Sequence, residues 1–409
     1  MANMNLTTAS NVLKVFYLPP LRRLLNNSTI LWNRLERHEK FNVEGKNFTV
    51  PLHVSRHTQA GAGRAEEGTL PAKDSQGYNA AVVAAKYIYT SIQISGQVIR
   101  ATKSDAGAFI RAVRSEVTGA VRDTKKSANR QAHGDGRDAL AYYSTGSGTS
   151  ITVDDNQGNA SVYLQPKATT CDLIDVSDDS TILNNSVAVT LGAEAATNYA
   201  ATLGASLSGS AADGDYFVLE DTLGNQMTGL AGIVNNANPP LGNLHGIAVA
   251  SNPWWQAQVV GEDIGSTYQD LRFPLLQRVC SRIAQNSSYD KEDIKFILAN
   301  HFMVDKYYEL CANERRAVNV MQLDGGYEGV EFSGIPIVAD VECWNNRLYF
   351  IVPEALRICR MSDFDWMDDD GAVLSRVSNT DAYEATMFHY GDLATVARNG
   401  LGVLRGINQ

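Results

Sequence analysis

Lys46-Asn47-Phe48-Thr49-Val50-Pro51-Leu52-His53-Val54-Ser55-Arg56 and, after an Ala/Gly-rich interval, Lys86-Tyr87-Ile88-Tyr89-Thr90-Ser91-Ile92-Gln93-Ile94-Ser95 are the stretches on which the fold turns. In the first, Phe48, Val50, Leu52 and Val54 share one face, and Asn47, Thr49, His53 and Ser55 the other. In the second, Ile88, Ile92 and Ile94 oppose Tyr87, Tyr89, Ser91 and Gln93. Period two predicts half-buried strands. The interval, about His57 to Ala85, carries Gly61, Gly63, Gly68 and Gly77 among alanines and offers little to bury. A loop of that length is uncommon in a compact domain unless it has a task. The expectation is an extended hairpin over 46–97 whose tip reaches another molecule.

Working outward, Ser104 to Gln131 predicts one helix. Ser104 can cap it, with Asp105 in the first turn. Ala106, Phe109, Ile110, Val113, Val117, Ala120, Val121 and Ala128 follow 3,4 spacing, and Arg111, Arg114, Arg122, Lys125 and Arg130 take the other faces. Gly134-Asp135-Gly136 stops it. A helix on the order of 40 Å long beside a protruding hairpin suits a flat building block.

The chain has 409 residues, enough for two or three units. Five widely spaced cysteines without a CxxC (Cys171, Cys280, Cys311, Cys343, Cys359) argue against structural disulfides and cysteine zinc sites, so synthesis in a reducing cytoplasm is expected. No run approaches the ~20 apolar residues of a membrane helix, and Met1 to Ser10 lack a signal peptide's apolar stretch. The net charge of −10 averages over unlike segments. Residues 1–60 hold eight Lys/Arg against three Asp/Glu, residues 100–137 nine against four, and residues 138–270 one against fifteen. Such asymmetry suggests complementary surfaces and self-association, with basic segments also suited to nucleic acid. The plainer alternative is solvated faces that never meet.

Residues 1–45 read as an arm too small for its own core. Residues 138–222 are acidic, rich in Ser, Thr, Asp, Gly and Ala, with strand-like clusters Ile151-Thr152-Val153, Val162-Tyr163-Leu164, Val187-Ala188-Val189 and Tyr216-Phe217-Val218-Leu219. Asp154 to Gly158 reads as a turn, and Ala193 to Ala212 as a short helix or a loop. Helices are expected over Tyr268–Gln285 and Phe302–Ala312, and strands at Ile294–Ala299, Val330–Phe332, Ile335–Val338, Leu348–Val352, Glu384–Tyr390 and Ala394–Ala397. Without a βαβ repeat, the class is α+β.

This order of parts resembles a tailed-bacteriophage major capsid protein with the Hong Kong 97-like fold. Gly229-Leu230-Ala231-Gly232-Ile233 leading to Asn252-Pro253-Trp254-Trp255, Val330 to Asp340, and Arg398-Asn399-Gly400 with Leu404-Arg405-Gly406-Ile407 carry the resemblance individually. It implies an N-terminal arm (1–45), an extended loop (46–97), a peripheral domain (98–137 and 381–409) with spine helix 104–131, and an axial domain (223–380). The β-rich acidic stretch 138–222 departs from the pattern as an insertion. No long coiled scaffold precedes the arm, so a separate scaffolding protein or an already removed prodomain is expected. The resemblance further implies an icosahedral shell of pentamers and hexamers around double-stranded DNA held by non-specific contact, portal, scaffolding and decoration proteins as partners, no membrane, no cofactor and no enzymatic activity. The virion is the implied location. A nanocompartment shell of the same fold, encapsulin-like and packaging enzymes, is the alternative. A β-rich adhesin or enzyme centred on 138–222 is the second.

Candidate inter-subunit contacts are Arg64, Glu66, Glu67 and Lys73 near the hairpin tip and Arg22, Arg23, Trp32 and Arg34 in the arm. Some shells of this fold join a hairpin lysine to a neighbour's asparagine; Lys73 and Lys86 are the hairpin's lysines, and no cross-link is expected. His53 and His57 have metal-ligand spacing only on a helix, and here they end a strand. The acidic run Asp363 to Gly371 fails the calcium-loop pattern at Trp366 and Val377, so a solvated turn is expected. Trp254, Trp255 and Trp344 read as core or interface anchors, and no Gly-x-Ser-x-Gly, phosphate-binding glycine loop or His-Glu-x-x-His is present.

Overall fold

The computed structural model describes residues 31–32, 34–35, 40–42, 47–58, 60–97, 106–154, 169–195, 198–261, 268–313, 320–323, 327–368 and 373–408. It begins with β1 (Lys40–Asn42), β2 (Asn47–Ser55), β3 (Gly77–Ala84), β4 (Lys86–Ser95) and the 28-residue helix α1 (Ala106–His133). β2 alternates as expected, with Val50 and Leu52 buried and Asn47, Thr49, His53 and Ser55 exposed. Its partner differs from the expectation. β2 pairs antiparallel with β3, from Asn47 opposite Ala84 to Ser55 opposite Gly77. The return strand thus lies inside the interval expected to be loop. β3 buries Ala81 and Val83 but exposes Ala80, Val82 and Ala84. Apolar residues on both faces erase the period-two signal. β4 instead joins a strand near the C-terminus.

α1 is about 42 Å long at ~1.5 Å per residue. Ser104 and Asp105, the expected cap, lie outside the described residues. Val117, Ala120, Val121, Ala128 and Ala132 are buried, and the Thr124 hydroxyl lies 2.6 Å from that of Thr90 in β4. The Gly134 N–H donates to Arg130 O at 3.0 Å and ends the helix as expected.

The acidic stretch 138–222 holds a closed barrel of β5 (Ala141–Ser147), β6 (Ser150–Asp154), β7 (Thr169–Ile174), β8 (Ile182–Ala195), β9 (Asn198–Leu203) and β10 (Tyr216–Leu219), in the order β10-β5-β6-β9-β8-β7. Closure leaves no edge strand to recruit a stray chain. Val153, Cys171, Leu173, Val189 and Phe217 fill its interior. β9 corrects the helix-or-loop expectation for Ala193–Ala212. Tyr199, Ala201 and Leu203 point inward, but Ala200 between them points out, so alanine again hides the alternation. The Val162 cluster and the turn residues after Asp154 lie outside the described residues.

After the barrel come the single-turn helix α2 (Leu230–Ile233), β11 (Gln258–Val260), α3 (Phe273–Asn286), β12 (Phe296–Ala299), α4 (His301–Asn313), β13 (Val320–Leu323), β14 (Tyr327–Phe332), β15 (Ile335–Ala339) and β16 (Arg347–Ile351). The chain closes with β17 (Leu356–Trp366), β18 (Ser375–Arg376), β19 (Ala382–Thr395) and β20 (Gly402–Arg405). Pro274 starts α3 five residues later than the sequence reading. A seven-stranded sheet runs β11-β20-β16-β12-β15-β14-β13, parallel at β11–β20 and β12–β15. Its central strands are the continuous apolar runs that sequence marks as fully buried, and every residue of β12 and β16 is buried.

The second sheet runs β1-β17-β19-β18, with β4 also paired along β19. β19 is one strand where two were expected. β17 includes Asp363 to Trp366, the start of the run expected to be a solvated turn. Phe364 and Trp366 are buried and Asp363 exposed, so the carboxylates occupy the outer face of a strand. The sheets interleave along the chain. β17, within 223–380, belongs to the β4–β19 sheet, and β20, within 381–409, belongs to the seven-stranded one.

Candidate assembly surfaces

The hairpin tip is closed at its base by side chains. The His53 and Gln76 side chains meet at 2.7 Å, and the Thr58 N–H donates to an Asp74 carboxylate oxygen at 2.8 Å, joined there by the Thr58 hydroxyl. These hydrogen bonds hold the Asp74 carboxyl down at about 2, so it is ionised at any working pH. Beyond this clasp, Arg64, Glu66, Glu67 and Lys73 are all exposed, with Leu70 at 83% the most exposed large apolar side chain among the described residues. Glu67 has φ 59°, a left-handed turn position. One face of the β2–β3 ribbon is sealed by the chain itself: Val83 packs with Cys359 and Ala394, and Val50, Leu52 and Ala81 join the main core. The opposite face presents Tyr78 and Val82, 72% and 41% exposed. An exposed ribbon face that carries apolar side chains, beside an exposed charged tip, has the form of an interface.

The arm residues divide. Arg22 and Arg23 lie outside the described residues. Trp32 is buried within its own chain, edge-on to His389 at 5.7 Å and to Phe364 at 6.3 Å. Arg34 lies 4.8 Å over the Phe296 ring, a cation–π contact to β12. β1 then pairs in parallel with β17. The described part of the arm therefore fastens onto its own subunit, against both sheets.

Sequence reading missed the polar junction where α1, the barrel and the seven-stranded sheet meet. Arg130 pairs with Asp138 at 2.8 Å, and Arg137 reaches Asp179 with Nε at 2.8 Å and Nη2 at 2.9 Å. Arg137 also lies 5.2 Å over Tyr216. On the sheet side, Asn129 Nδ2 donates to Asp340 at 3.1 Å, with His133 Nε2 3.6 Å from the same carboxylate. Burial lifts the Asp138 carboxyl to about 6 despite Arg130, and raises Asp135 as well. Gly229 permits the approach of α2, since a Cβ there would sit 2.3 Å from Gln131 O. These contacts fix the barrel to the end of the spine helix.

Arg398 ties the remaining segments together. It is fully buried and donates to four carbonyls: Ile233 (2.8 Å), Trp255 (3.0 Å), Gly232 (3.1 Å) and Ala237 (2.6 Å). Burial lowers its pKa to about 10. Gly229–Ile233, Trp254-Trp255 and Arg398–Gly400, separate in the sequence, thus converge on one guanidinium. Trp255 is a core anchor, its indole N–H donating to Leu244 O at 3.3 Å. Trp344 is stacked by Arg347 at 4.6 Å.

Among the described residues, no cluster of three His, Cys, Asp or Glu side chains could hold a metal, and no helix is long and apolar enough to cross a membrane. His53 and His57 do not form a metal pair with a third ligand there. The five cysteines are unpaired and buried, with burial pushing the Cys171 and Cys359 thiols up to about 12.

No protein-family model and no curated protein sequence matches the chain. Among solved structures, it is similar to a chain of the cyanophage A-1(L) capsid asymmetric unit, with a TM-score of 0.56, 14% identity and 93% of each chain covered. It is also similar to the holo-SrpI encapsulin complex of Synechococcus elongatus PCC 7942 (TM-score 0.47, 9% identity, 92% of this chain and 87% of that one). A third is Mycobacterium phage Bobi (TM-score 0.45, 9% identity, 94% and 91%). The likeness to the cyanophage chain identifies the fold: this is the α+β Hong Kong 97-like capsid fold, over nearly the whole chain.

Proposed function

We propose that this chain is a major capsid protein, self-assembling into the icosahedral head shell around the double-stranded DNA of a tailed bacteriophage, and that it is a structural protein rather than an enzyme. The observation that carries the reading is the shared fold with the cyanophage A-1(L) capsid chain over 93% of both chains. The exposed ribbon face and tip of the hairpin support it, because they offer a surface that a second copy can cover. Arg64, Glu66, Glu67 and Lys73 are the contacts assigned to that neighbour, with Arg22 and Arg23 assigned to arm contacts. Residues 1–45 serve as arm, 46–97 as extended loop, 98–137 and 381–409 as peripheral unit, 138–222 as insertion and 223–380 as axial unit. Pentamers and hexamers arise from the axial units, while the basic arm and spine helix supply non-specific contacts to packaged DNA. Scaffolding, portal and decoration proteins complete the particle, which is the virion head.

Electron microscopy of the purified protein under assembly conditions tests this. Closed shells are expected, with nuclease-resistant DNA inside particles recovered from infected cells. Monodisperse monomers under every condition would refute it. Shells holding cargo protein and no DNA would point to a cellular nanocompartment instead.

A further inference from the structure

α3 and α4 lie on the same face of the seven-stranded sheet, where Phe273 at the start of α3 meets Tyr307 of α4 edge-on at 5.8 Å. α3 covers β20 and the edge strand β11, whereas α4 covers β15. The two helices therefore occupy different flanks, with β16 and β12 between. Their outer faces are unlike. α3 contains no acidic residue and exposes Arg278 and Arg282, one turn apart. α4 exposes Phe302 at 59% and Tyr308 at 41%, beside the exposed carboxylates Asp305 and Glu309. Phe302, Asp305 and Glu309 fall at i, i+3 and i+7, a single stripe.

The stripe has the chemistry that a guanidinium recognises. A carboxylate meets its N–H fork and an aromatic ring its flat face. The molecule already uses both contacts internally, at Arg137–Asp179 and at Arg347 over Trp344. No acid on α3 competes for its arginines within that helix. On α4, Lys306 pairs with Glu309 at 3.2 Å, which leaves Asp305 the leading carboxylate of the stripe. Arg282 donates to Val259 O and is thereby fixed at the β11 edge, so Arg278 is the leading guanidinium. Arg315 and Arg316, which follow α4, lie outside the described residues.

Two different, complementary patches on one chain make a head-to-tail contact, and such a contact closes into a ring when its rotation divides the circle. We propose that the aromatic and acidic face of α4 on one copy docks on the basic face of α3 on the next, and that this contact closes the ring of axial units. The proposal rests on the shell reading above and names the partner surface within it.

The test is a charge exchange in the full chain. R278E and D305R are expected each to fold with an unchanged melting curve but to lose rings and shells by electron microscopy and sedimentation. Combined in one chain, the two substitutions restore the opposite-charge pair and should recover particles. F302A/Y308A should weaken assembly with no effect on charge. Should R278E fail to fold, R278Q in its place reports the loss of the pair. Single variants that assemble like the wild type, or a folded R278E/D305R chain no better than either single variant, would overturn the contact while the shell reading stands. A wild type that never assembles removes both.

Discussion

Asp392 and His389 are buried neighbours along β19 whose titrations oppose each other. Burial lifts the Asp392 carboxyl to about 7, although it accepts the Leu393 N–H at 2.8 Å. Burial lowers His389 to about 4, with Asp363 opposing the shift and Arg360 reinforcing it. Its ring is stacked on Phe364 at 4.1 Å. Below ~4 both folded and unfolded states hold the Asp392 proton; between ~4 and ~7 only the folded state does, so this stabilisation is lost as pH rises through that window. For His389 the unfolded state binds the proton first, below ~6.5, so stability is lost as pH falls from there to ~4. Each window is worth about 3–4 kcal/mol at ~1.36 kcal/mol per unit. Denaturant melts of the unassembled subunit should therefore show D392N gaining on the wild type as pH rises from 4 to 8, and H389F gaining as pH falls from 7 to 4. The same slope in both variants would contradict the assignment. At Arg398, a lysine has three donors for four carbonyls and cannot span them in one plane. R398K is expected to lose about 3 kcal/mol or more of stability, a loss seen as a lower melting point before any effect on assembly.

At the scale of elements, what the sequence showed and what it hid have one cause. β2, β12, β16 and α1 were legible because large apolar side chains recur at the right period or fill the whole run. β3 and β9 were hidden because alanine faces both inward and outward, and alanine on a strand carries neither strong propensity nor contrast. The same blindness made β4 look like the hairpin's return strand, although β4 pairs with β19 from Lys86 opposite Gly391 to Ser95 opposite Ala382. The Arg398 node and the ion pairs at the end of α1 were invisible for another reason: they join residues more than a hundred positions apart, or bury charges that read as surface. The true ribbon also changes how the tip should be tested. Removing 58–84 would delete β3 and uncover Val50 and Leu52. Removing 60–72 behind the Thr58–Asp74 clasp keeps the ribbon. That shorter deletion should leave a soluble subunit with an unaltered melt that builds no stable shell; shells of wild-type yield would remove the tip from the contact.

For the whole molecule, charge is sorted by region, from the basic arm and spine helix to a middle segment with fifteen acids and a single lysine. Exposed pairs of this kind are screened over ~8 Å at physiological salt. Assembly should then be slowed by added sodium chloride more steeply than subunit stability is lowered, a difference that light scattering and melting curves at matched salt would reveal. The barrel has a separate consequence. Its first and last strands are hydrogen-bonded neighbours, Leu140 N–H donating to Phe217 O at 2.8 Å and Ala141 standing opposite Phe217. A module that enters and leaves the chain at one doorway can be traded for another, or lost, without the host noticing a gap. Among the described residues Arg137 would object, because its Asp179 leaves with the cargo. An engineer grafting a foreign domain at this doorway, like a lineage discarding the old one, has to change that arginine in the same step.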